Sequence, residues 1–228
     1  MRDALRSGAT PAVLRLYDGI ESARSHGGDG TTCTLIVLDE GDARLVEATM
    51  SLVDEAVHRH EGVPHAEDRV AHWLEHRNDT NALQALTQRG FVIDTMEVSA
   101  PWSALMRIAH EVKAAAATIP GLRVASCHQS HSYLDGGCLY FTFVVQPPDT
   151  AIDTIERVYV DAWDVIQRAA LSAGATLSHH HGAGLNRQRF LDAALGDHLH
   201  TLRKVKRALD PDGILNPGKL GDAPPVWP

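Results

Sequence analysis

The amino-acid sequence predicts an α+β domain in which helices pack on one face of a mostly antiparallel sheet. Short β-branched and apolar segments, of which 31–39 is the clearest, are interspersed with amphipathic segments of helical period. The segments 123–131 and 137–146 flank the turn sequence Leu-Asp-Gly-Gly at 134–137, which is typical of a β-hairpin. The resulting order of strand, helix, strand, helix, hairpin, helix and helix favours antiparallel strands with the helices gathered on one side.

The first half of the chain is predicted to contain short elements. Residues 13–17 alternate as a strand does, and residues 42–61 place their apolar side chains at helical spacing until Gly62 ends the helix. The remaining predictions are short helices at 1–7, 18–25, 67–76 and 81–89, a strand at 91–99 and a helix at 103–117.

In the second half, the strand 137–146 has two chemically different faces. Leu139 and Phe141 fall on the apolar face, whereas Tyr140 falls on the other face with the smaller side chains. Two long helices are predicted at 151–173 and 186–209, and they enclose the segment richest in chemically active side chains.

Composition limits the classes of protein to consider. The chain has 228 residues, 44% hydrophobic and 22% charged, which is typical of a globular protein with one large domain or two small ones. The formal charge of −8 argues against nucleic-acid binding. We expect a cytoplasmic protein for three reasons. The three cysteines form no C-x-x-C pair, no apolar run reaches the ~20 residues that span a bilayer, and the N-terminus has no signal sequence.

Three consecutive histidines, His179, His180 and His181, lie between the two long helices. Imidazole is the side chain whose unperturbed pKa lies nearest neutrality, so the triplet indicates proton transfer or metal binding. If the segment were a strand, His179 and His181 would share one face; a loop is the alternative. Gly182 and Gly184 follow and permit close approach of the backbone to a ligand.

Other chemistries find less support in the sequence. Zinc could be bound by members of a set that includes His128, His131, His179, His181 and Cys138, but no spacing among them matches a zinc motif. We therefore predict no metal. No G-x-S-x-G sequence indicates a serine hydrolase, and no glycine-rich phosphate loop indicates independent nucleotide binding.

Four stretches together resemble a known family. Residues 178–184 are similar to the triple-histidine motif of the alkyldihydroxyacetonephosphate synthase branch of FAD-linked oxidases, within the vanillyl-alcohol oxidase and p-cresol methylhydroxylase superfamily. Residues 11–18 resemble the first strand of the family's C-terminal domain, 133–141 its tyrosine segment and 210–219 its closing motif. The resemblance extends over 1–220.

The resemblance implies an organisation for the chain. Residues 1–220 would form the cap domain that covers the isoalloxazine ring and shapes the substrate pocket, and 221–228 would be a tail. The N-terminal FAD-binding domain is absent from this sequence, so FAD would be shared with a missing or separate domain. The implied partners are that FAD-binding domain or polypeptide and a small-molecule substrate. A homodimer or poor solubility of the isolated chain is also expected, because the face that would cover FAD is exposed.

The resemblance also implies roles for individual residues. Tyr140 and the three histidines, His179, His180 and His181, would transfer protons as catalytic groups. Asn216 and Lys219 of the closing motif would contact the cofactor.

Substrate contacts are implied for Tyr133, Arg77 and Gln84. Gln84 stands where the family has an arginine that positions substrate, whereas Arg77 matches a different arginine of bacterial relatives. Glutamine carries no charge, so this departure puts recognition of a phosphate or carboxylate by this position in doubt.

Two activities and two alternatives follow. The resemblance implies one of two activities: an alkylglycerone-phosphate synthase-like exchange of an acyl for an alkyl group, or oxidation of an alcohol or hydroxy acid. Gln84 favours the oxidation. A non-catalytic remnant or interaction domain is the alternative that the missing cofactor domain suggests. The histidines alone leave open a metalloprotein, which metal analysis of the purified protein would distinguish.

Overall fold

A single five-stranded antiparallel sheet organises the computed structural model, which describes residues 1–65 and 68–220. Its spatial order is β2-β1-β4-β5-β3, and every pairing is antiparallel. The strands are β1 (Val13–Tyr17), β2 (Thr34–Leu38), β3 (Val92–Pro101), β4 (Leu122–Ser132) and β5 (Gly136–Val145). The predicted hairpin is therefore confirmed as β4 and β5, at the centre of the sheet.

Nine α-helices connect and cover these strands within the described residues. They are α1 (Arg2–Arg6), α2 (Gly19–Ser25), α3 (Ala43–Arg59), α4 (Asp68–His76), α5 (Asn81–Gln88), α6 (Trp102–Ala116), α7 (Ile152–Ser172), α8 (Leu191–Leu195) and α9 (His198–Leu209). No helix in this part of the chain is long and apolar enough to cross a membrane.

The main hydrophobic core lies between one face of the sheet and helices α6 and α7. Register pairs Met96 with Phe141 and Val98 with Leu139, so alternate residues of β3 and β5 point to the same side. These four side chains pack with residues of both helices, including the fully buried Ile108 and Trp163. The α+β fold class and the predicted facing of Tyr140 away from this core are confirmed.

The opposite face of the sheet is covered at its ends. Trp73 of α4 packs on Tyr17 and Ile36, and its indole N–H donates to the Tyr17 hydroxyl at 2.8 Å. At the other end, α5 lies against β3. Between α4 and α5 this face of the sheet carries Glu97, Tyr140 and their polar neighbours.

Gly121 makes the turn that starts the hairpin. Its φ of +77° lies in the left-handed region, and a Cβ at this position would lie 2.2 Å from the backbone oxygen of Gln146. The turn therefore requires glycine for both backbone conformation and space.

The prediction of one continuous helix over 186–209 is wrong. A 3-10 turn (Arg187–Phe190) leads into α8, and Gly196 then separates α8 from α9. Gly196 has a φ of +48°, which an α-helix cannot accommodate, and it therefore breaks the helix. The prediction was wrong because the apolar periodicity continues across this break. The predicted start of α4 at Glu67 and the tail 221–228 lie outside the described residues.

Candidate active site

Glu97 of β3 lies on the polar face of the sheet and is completely buried. Its carboxylate accepts a hydrogen bond from the Ser178 hydroxyl. The backbone N–H of His179 donates to both carboxylate oxygens, at 2.7 Å to Oε1 and 2.8 Å to Oε2. Sequence reasoning missed this residue. The available signal was an acidic side chain between Met96 and Val98 in an otherwise apolar part of a strand.

The three predicted histidines form a loop around this carboxylate. The Nδ1 atoms of His179 and His180 both lie 3.7 Å from a Glu97 oxygen, and that of His181 lies 3.9 Å away. The segment is a loop and not a strand, so the alternation expected for a strand does not occur. All three imidazoles can therefore interact with one negative charge.

The loop is attached to the edge of the sheet just before the histidines. The backbone N–H of Thr176 donates to the Ser99 carbonyl at 2.9 Å, and the Ser99 N–H donates to the Thr176 hydroxyl at 2.9 Å. Because Ser99 and Glu97 are two residues apart on β3, they share a face, and this attachment brings the loop onto Glu97.

Tyr133, His179 and His180 form a continuous hydrogen-bonded array. The Tyr133 hydroxyl lies 2.8 Å from Nε2 of His179, and Nδ1 of His179 lies 2.7 Å from Nδ1 of His180. One consistent assignment has His180 Nδ1–H donating to His179 and His179 Nε2–H donating to the Tyr133 hydroxyl. A proton could then move along the array between a half-exposed phenol and an exposed imidazole.

His131 is a fourth imidazole of the cluster. Its ring centroid lies 5.1 Å from those of His179 and His180. A register irregularity of β4 between Gln129 and His131 precedes the point where His131 pairs with Cys138 of β5. Partial burial, together with the two neighbouring imidazoles, lowers the pKa of His131 from its usual 6.5.

Tyr140 lies on the same face, next to the histidine loop. Its hydroxyl is 3.0 Å from the Thr95 hydroxyl, and its ring stacks on His128 at 5.0 Å and meets His181 edge-on at 5.9 Å. His128 in turn lies 3.0 Å from the buried carboxylate of Glu21. The structure thus places Tyr140 next to the histidine triplet, in ring contact with His181.

Burial and charge set the protonation of this site. Burial opposes ionisation of Glu97, but hydrogen bonds from Ser178 and from the backbone of His179 outweigh it and lower the pKa of the carboxyl. Burial raises the pKa of the Cys138 thiol to about 11. Burial also lowers the pKa of His181, although Glu97 acts in the opposite direction. At neutral pH the centre therefore contains one carboxylate, a neutral thiol and a neutral His181.

Within the part of the chain that the structure describes, three overlapping groups of side chains could also hold a metal ion. Each has ligand atoms within 4.8 Å of one another: His131, His179 and His180; Glu97, Cys138 and His179; and Glu97, His180 and His181. His128, which the sequence placed among the candidate ligands, belongs instead to the pair with Glu21.

Two predicted substrate residues lie outside this cluster. Arg77 is exposed and places its guanidinium 5.3 Å from the ring centroid of Trp73. Gln84 is exposed on α5, where it lines a groove together with Thr95, the residue that contacts the Tyr140 hydroxyl. Gln84 is therefore connected to the candidate active site through Thr95, whereas Arg77 is not brought to the histidines.

The predicted cofactor residues lie after α9. The Lys219 ammonium donates to the Asn216 side-chain oxygen at 3.4 Å, and Asn216 has a φ of +48°. Within residues 1–65 and 68–220, no hydrogen bond or ion pair connects either residue to the histidine cluster.

Comparisons with known proteins match the chain over nearly its whole length. The family described as FAD linked oxidases, C-terminal domain, matches residues 1–220. An uncharacterised FAD-linked oxidoreductase of Escherichia coli O157:H7, YgcU, is 27% identical over 96% of this chain and 48% of its own length. The alkyldihydroxyacetonephosphate synthase of Trypanosoma brucei brucei is 35% identical over 43% of this chain and 16% of its own.

A solved alkyldihydroxyacetonephosphate synthase has the same fold. It superposes with a TM-score of 0.67 at 19% identity and covers 95% of this chain and 40% of the solved chain. The present chain thus spans about half the length of the E. coli relative and less than half of the solved one.

Proposed function

Because this chain belongs to the family of FAD-linked oxidase C-terminal domains, we propose that it forms the substrate side of an FAD-dependent oxidoreductase. The observation that carries the proposal is the grouping of Tyr140 with the histidine array around buried Glu97 on a partly uncovered face of the sheet. An FAD-binding domain, on another polypeptide or another segment of a longer protein, would complete the site.

The donor set fits a flavin-dependent oxidation. A bound FAD would accept the electrons that leave the substrate. Beside it, a phenol and several imidazoles supply groups that can accept and release protons near neutral pH. Asn216 and Lys219 are proposed to contact the cofactor, as the family resemblance implies.

The residues of the array have distinct proposed roles. His180 is exposed, so it can accept a proton from a substrate hydroxyl and pass it to His179. Tyr133 is hydrogen-bonded to the far nitrogen of His179 and completes the path. Glu97 stabilises the imidazolium that forms, because its charge lies 3.7 Å from both rings.

The class of reaction follows from the substrate side of the site. Gln84 replaces a cation of the synthase branch, and Arg77 contacts Trp73 instead of the histidines. These positions favour oxidation of a hydroxy acid or alcohol over a synthase-like exchange of an acyl for an alkyl group.

The proposal is tested by titrating FAD into the purified chain and following flavin fluorescence. We expect saturable binding with a Kd above about 10 μM, since no glycine-rich phosphate loop would hold the pyrophosphate. The change Tyr140→Phe or His181→Phe should weaken this binding, whereas His58→Phe, on the exposed side of α3, should leave it unchanged.

A second arm adds the FAD-binding portion of the E. coli relative. In such a reconstituted oxidoreductase, Tyr140→Phe or His180→Phe should lower flavin reduction by about 10²–10⁴-fold. Absence of FAD binding in both arms would contradict the proposal and favour a non-catalytic interaction domain. Unchanged flavin reduction in both variants would contradict the roles given to the two residues.

A further inference from the structure

Arg187 is a buried cation without an acidic partner among residues 1–65 and 68–220. Only 9% of the residue is exposed, and its Nε atom is buried without a hydrogen-bond partner. Among the described residues, no carboxylate forms an ion pair with it. Buried charges in proteins are normally paired, because removing them from water is costly. The unpaired guanidinium therefore suggests an anion that this part of the chain does not supply.

The neighbouring arginines show the usual arrangement. Arg168 and Arg189 both stack on Phe190, and both form ion pairs with Asp164, at 2.7 and 3.4 Å. Arg187 also stacks on an aromatic ring, that of Trp163, at 5.1 Å. Unlike the other two, it forms no ion pair with a carboxylate of the described residues.

A carboxylate at the edge of the same Trp163 indole is already engaged by other donors. Asp94 accepts hydrogen bonds from the Tyr159 hydroxyl at 2.8 Å and from the Trp163 indole N–H at 2.9 Å. Trp163 thus holds Asp94 at its edge and Arg187 over its face. The indole fixes the guanidinium in place without neutralising it.

The position of Arg187 in the chain places it beside the histidine loop. Its backbone N–H donates to the Ala183 carbonyl at 3.1 Å, two residues after His181. The charge of Arg187 is close enough to contribute to the lowered pKa of His181. The cation therefore belongs to the same end of the domain as the proton-transfer groups.

We propose that Arg187 binds the anionic group of the substrate, a carboxylate or a phosphate, next to the proposed proton-transfer histidines. This inference rests on the proposed function and deepens it by naming the substrate class. A guanidinium presents several N–H donors in one plane, which suits the oxygens of either anion. Arg187 thereby supplies the positive charge that Gln84 lacks.

The test uses the 228-residue chain without flavin and two probes, inorganic phosphate and lactate. Chemical-shift titrations should give saturable changes at the amides of residues 181–187, with a Kd of about 1–10 mM. Arg187→Gln should weaken binding at least about tenfold, because a charged hydrogen bond is lost. Arg187→Lys should retain part of the affinity, and the control Arg168→Gln, which removes an ion-paired guanidinium, should match the wild type.

The outcomes separate the two sources of anion. Binding of phosphate alone indicates a phosphate ester as substrate, and binding of lactate alone indicates a carboxylate; competition between the two indicates one site for both. Equal affinity in the wild type and Arg187→Gln, or no saturable shift with either probe, would overturn the proposal.

A measurement on the wild-type chain tests the role of Arg187 even if the Arg187→Gln variant misfolds. The Nε–H resonance of Arg187 should move in step with the amides, and an unmoved resonance during saturable binding would place the anion elsewhere. Since no flavin takes part, failure of the FAD titration leaves this measurement interpretable. Likewise, if neither anion binds, the roles of Tyr140 and His180 are still tested separately by flavin reduction in the reconstituted oxidoreductase.

Discussion

At the scale of single residues, Glu97 controls the charge of the candidate active site. It is the fully buried carboxylate that faces all three histidines of the loop, and two kinds of donor, a hydroxyl and backbone N–H groups, keep it ionised. A negative charge held in this way favours protonation of whichever imidazole receives a proton. The residue thus has a positional and an electrostatic role at once.

We predict that Glu97→Gln lowers the pKa of His181 further. Burial already lowers that pKa from 6.5, and the Glu97 charge is the interaction that raises it most. Removing the charge disfavours the imidazolium, so the NMR titration midpoint of His181 should fall. Glu55→Gln, which removes an exposed carboxylate of α3, is the matched control and should leave the His181 midpoint unchanged.

The same pKa has a consequence for stability. Unfolded His181 takes up a proton near pH 6.5, whereas the folded form does so only at lower pH. The folded state therefore loses stability relative to the unfolded state as pH falls through 6.5 towards the folded pKa. In Glu97→Gln this acid-side loss should extend to lower pH in denaturant titrations. A midpoint of His181 that stays or rises would contradict the electrostatic role of Glu97.

Residue patterns explain which parts of the site the sequence could predict. Tyr140 was predictable because strand alternation decides its face, and His179 to His181 were predictable because they are adjacent and chemically distinctive. Glu97 was not, since its partners follow it by some eighty residues and nothing local links them. Arg187 was hidden inside an apparently continuous helical pattern.

At the scale of elements, the hairpin of β4 and β5 determines where the site forms. It pairs with β3 on one side and β1 on the other, so it carries Tyr140 and His131 into the middle of the sheet. Strand and helix types were predictable from period and from glycine positions. The packing of α4 on the polar face depends on tertiary contacts that periodicity does not contain. The break at Gly196 was missed because the apolar period continues on both sides of that glycine.

We predict that Gly121→Ala destabilises the domain more than Gly8→Ala does. Both glycines have a positive φ, of +77° and +99°, so both changes carry a backbone penalty. A Cβ at Gly8 meets open space, whereas at Gly121 it meets the Gln146 oxygen at 2.2 Å. Urea unfolding should show a difference of at least about 1 kcal/mol between the variants. Equal losses would mean that the turn before β4 can move aside without cost.

At the scale of the whole molecule, the candidate active site lies beside exposed apolar side chains. Tyr133, Leu134 and Leu185 are 47%, 69% and 40% exposed, and they flank the histidine loop in sequence or by contact. Exposed apolar groups around a polar centre are typical of a surface that another domain or chain covers. This is the face that the proposed FAD-binding domain would use.

We predict that the isolated chain dimerises through this face. The change Leu134→Lys should shift the molar mass measured by light scattering towards the monomer, because it places a charge in the contact. Leu45→Lys is the matched control, since Leu45 is 70% exposed on α3, which packs on the opposite face of the sheet. A wild-type chain that is monomeric at all concentrations would contradict this prediction.

The attachment of the histidine loop to β3 has a further consequence for the behaviour of the sheet. β3 is an edge strand, and unpaired edges invite pairing with other chains. Thr176 occupies both the N–H and the carbonyl of Ser99, so the loop acts as a shield over part of that edge. Chemistry and protection against aggregation are thereby combined in one segment, and a shortened loop would expose the chain to fibrous self-association as well as removing its histidines.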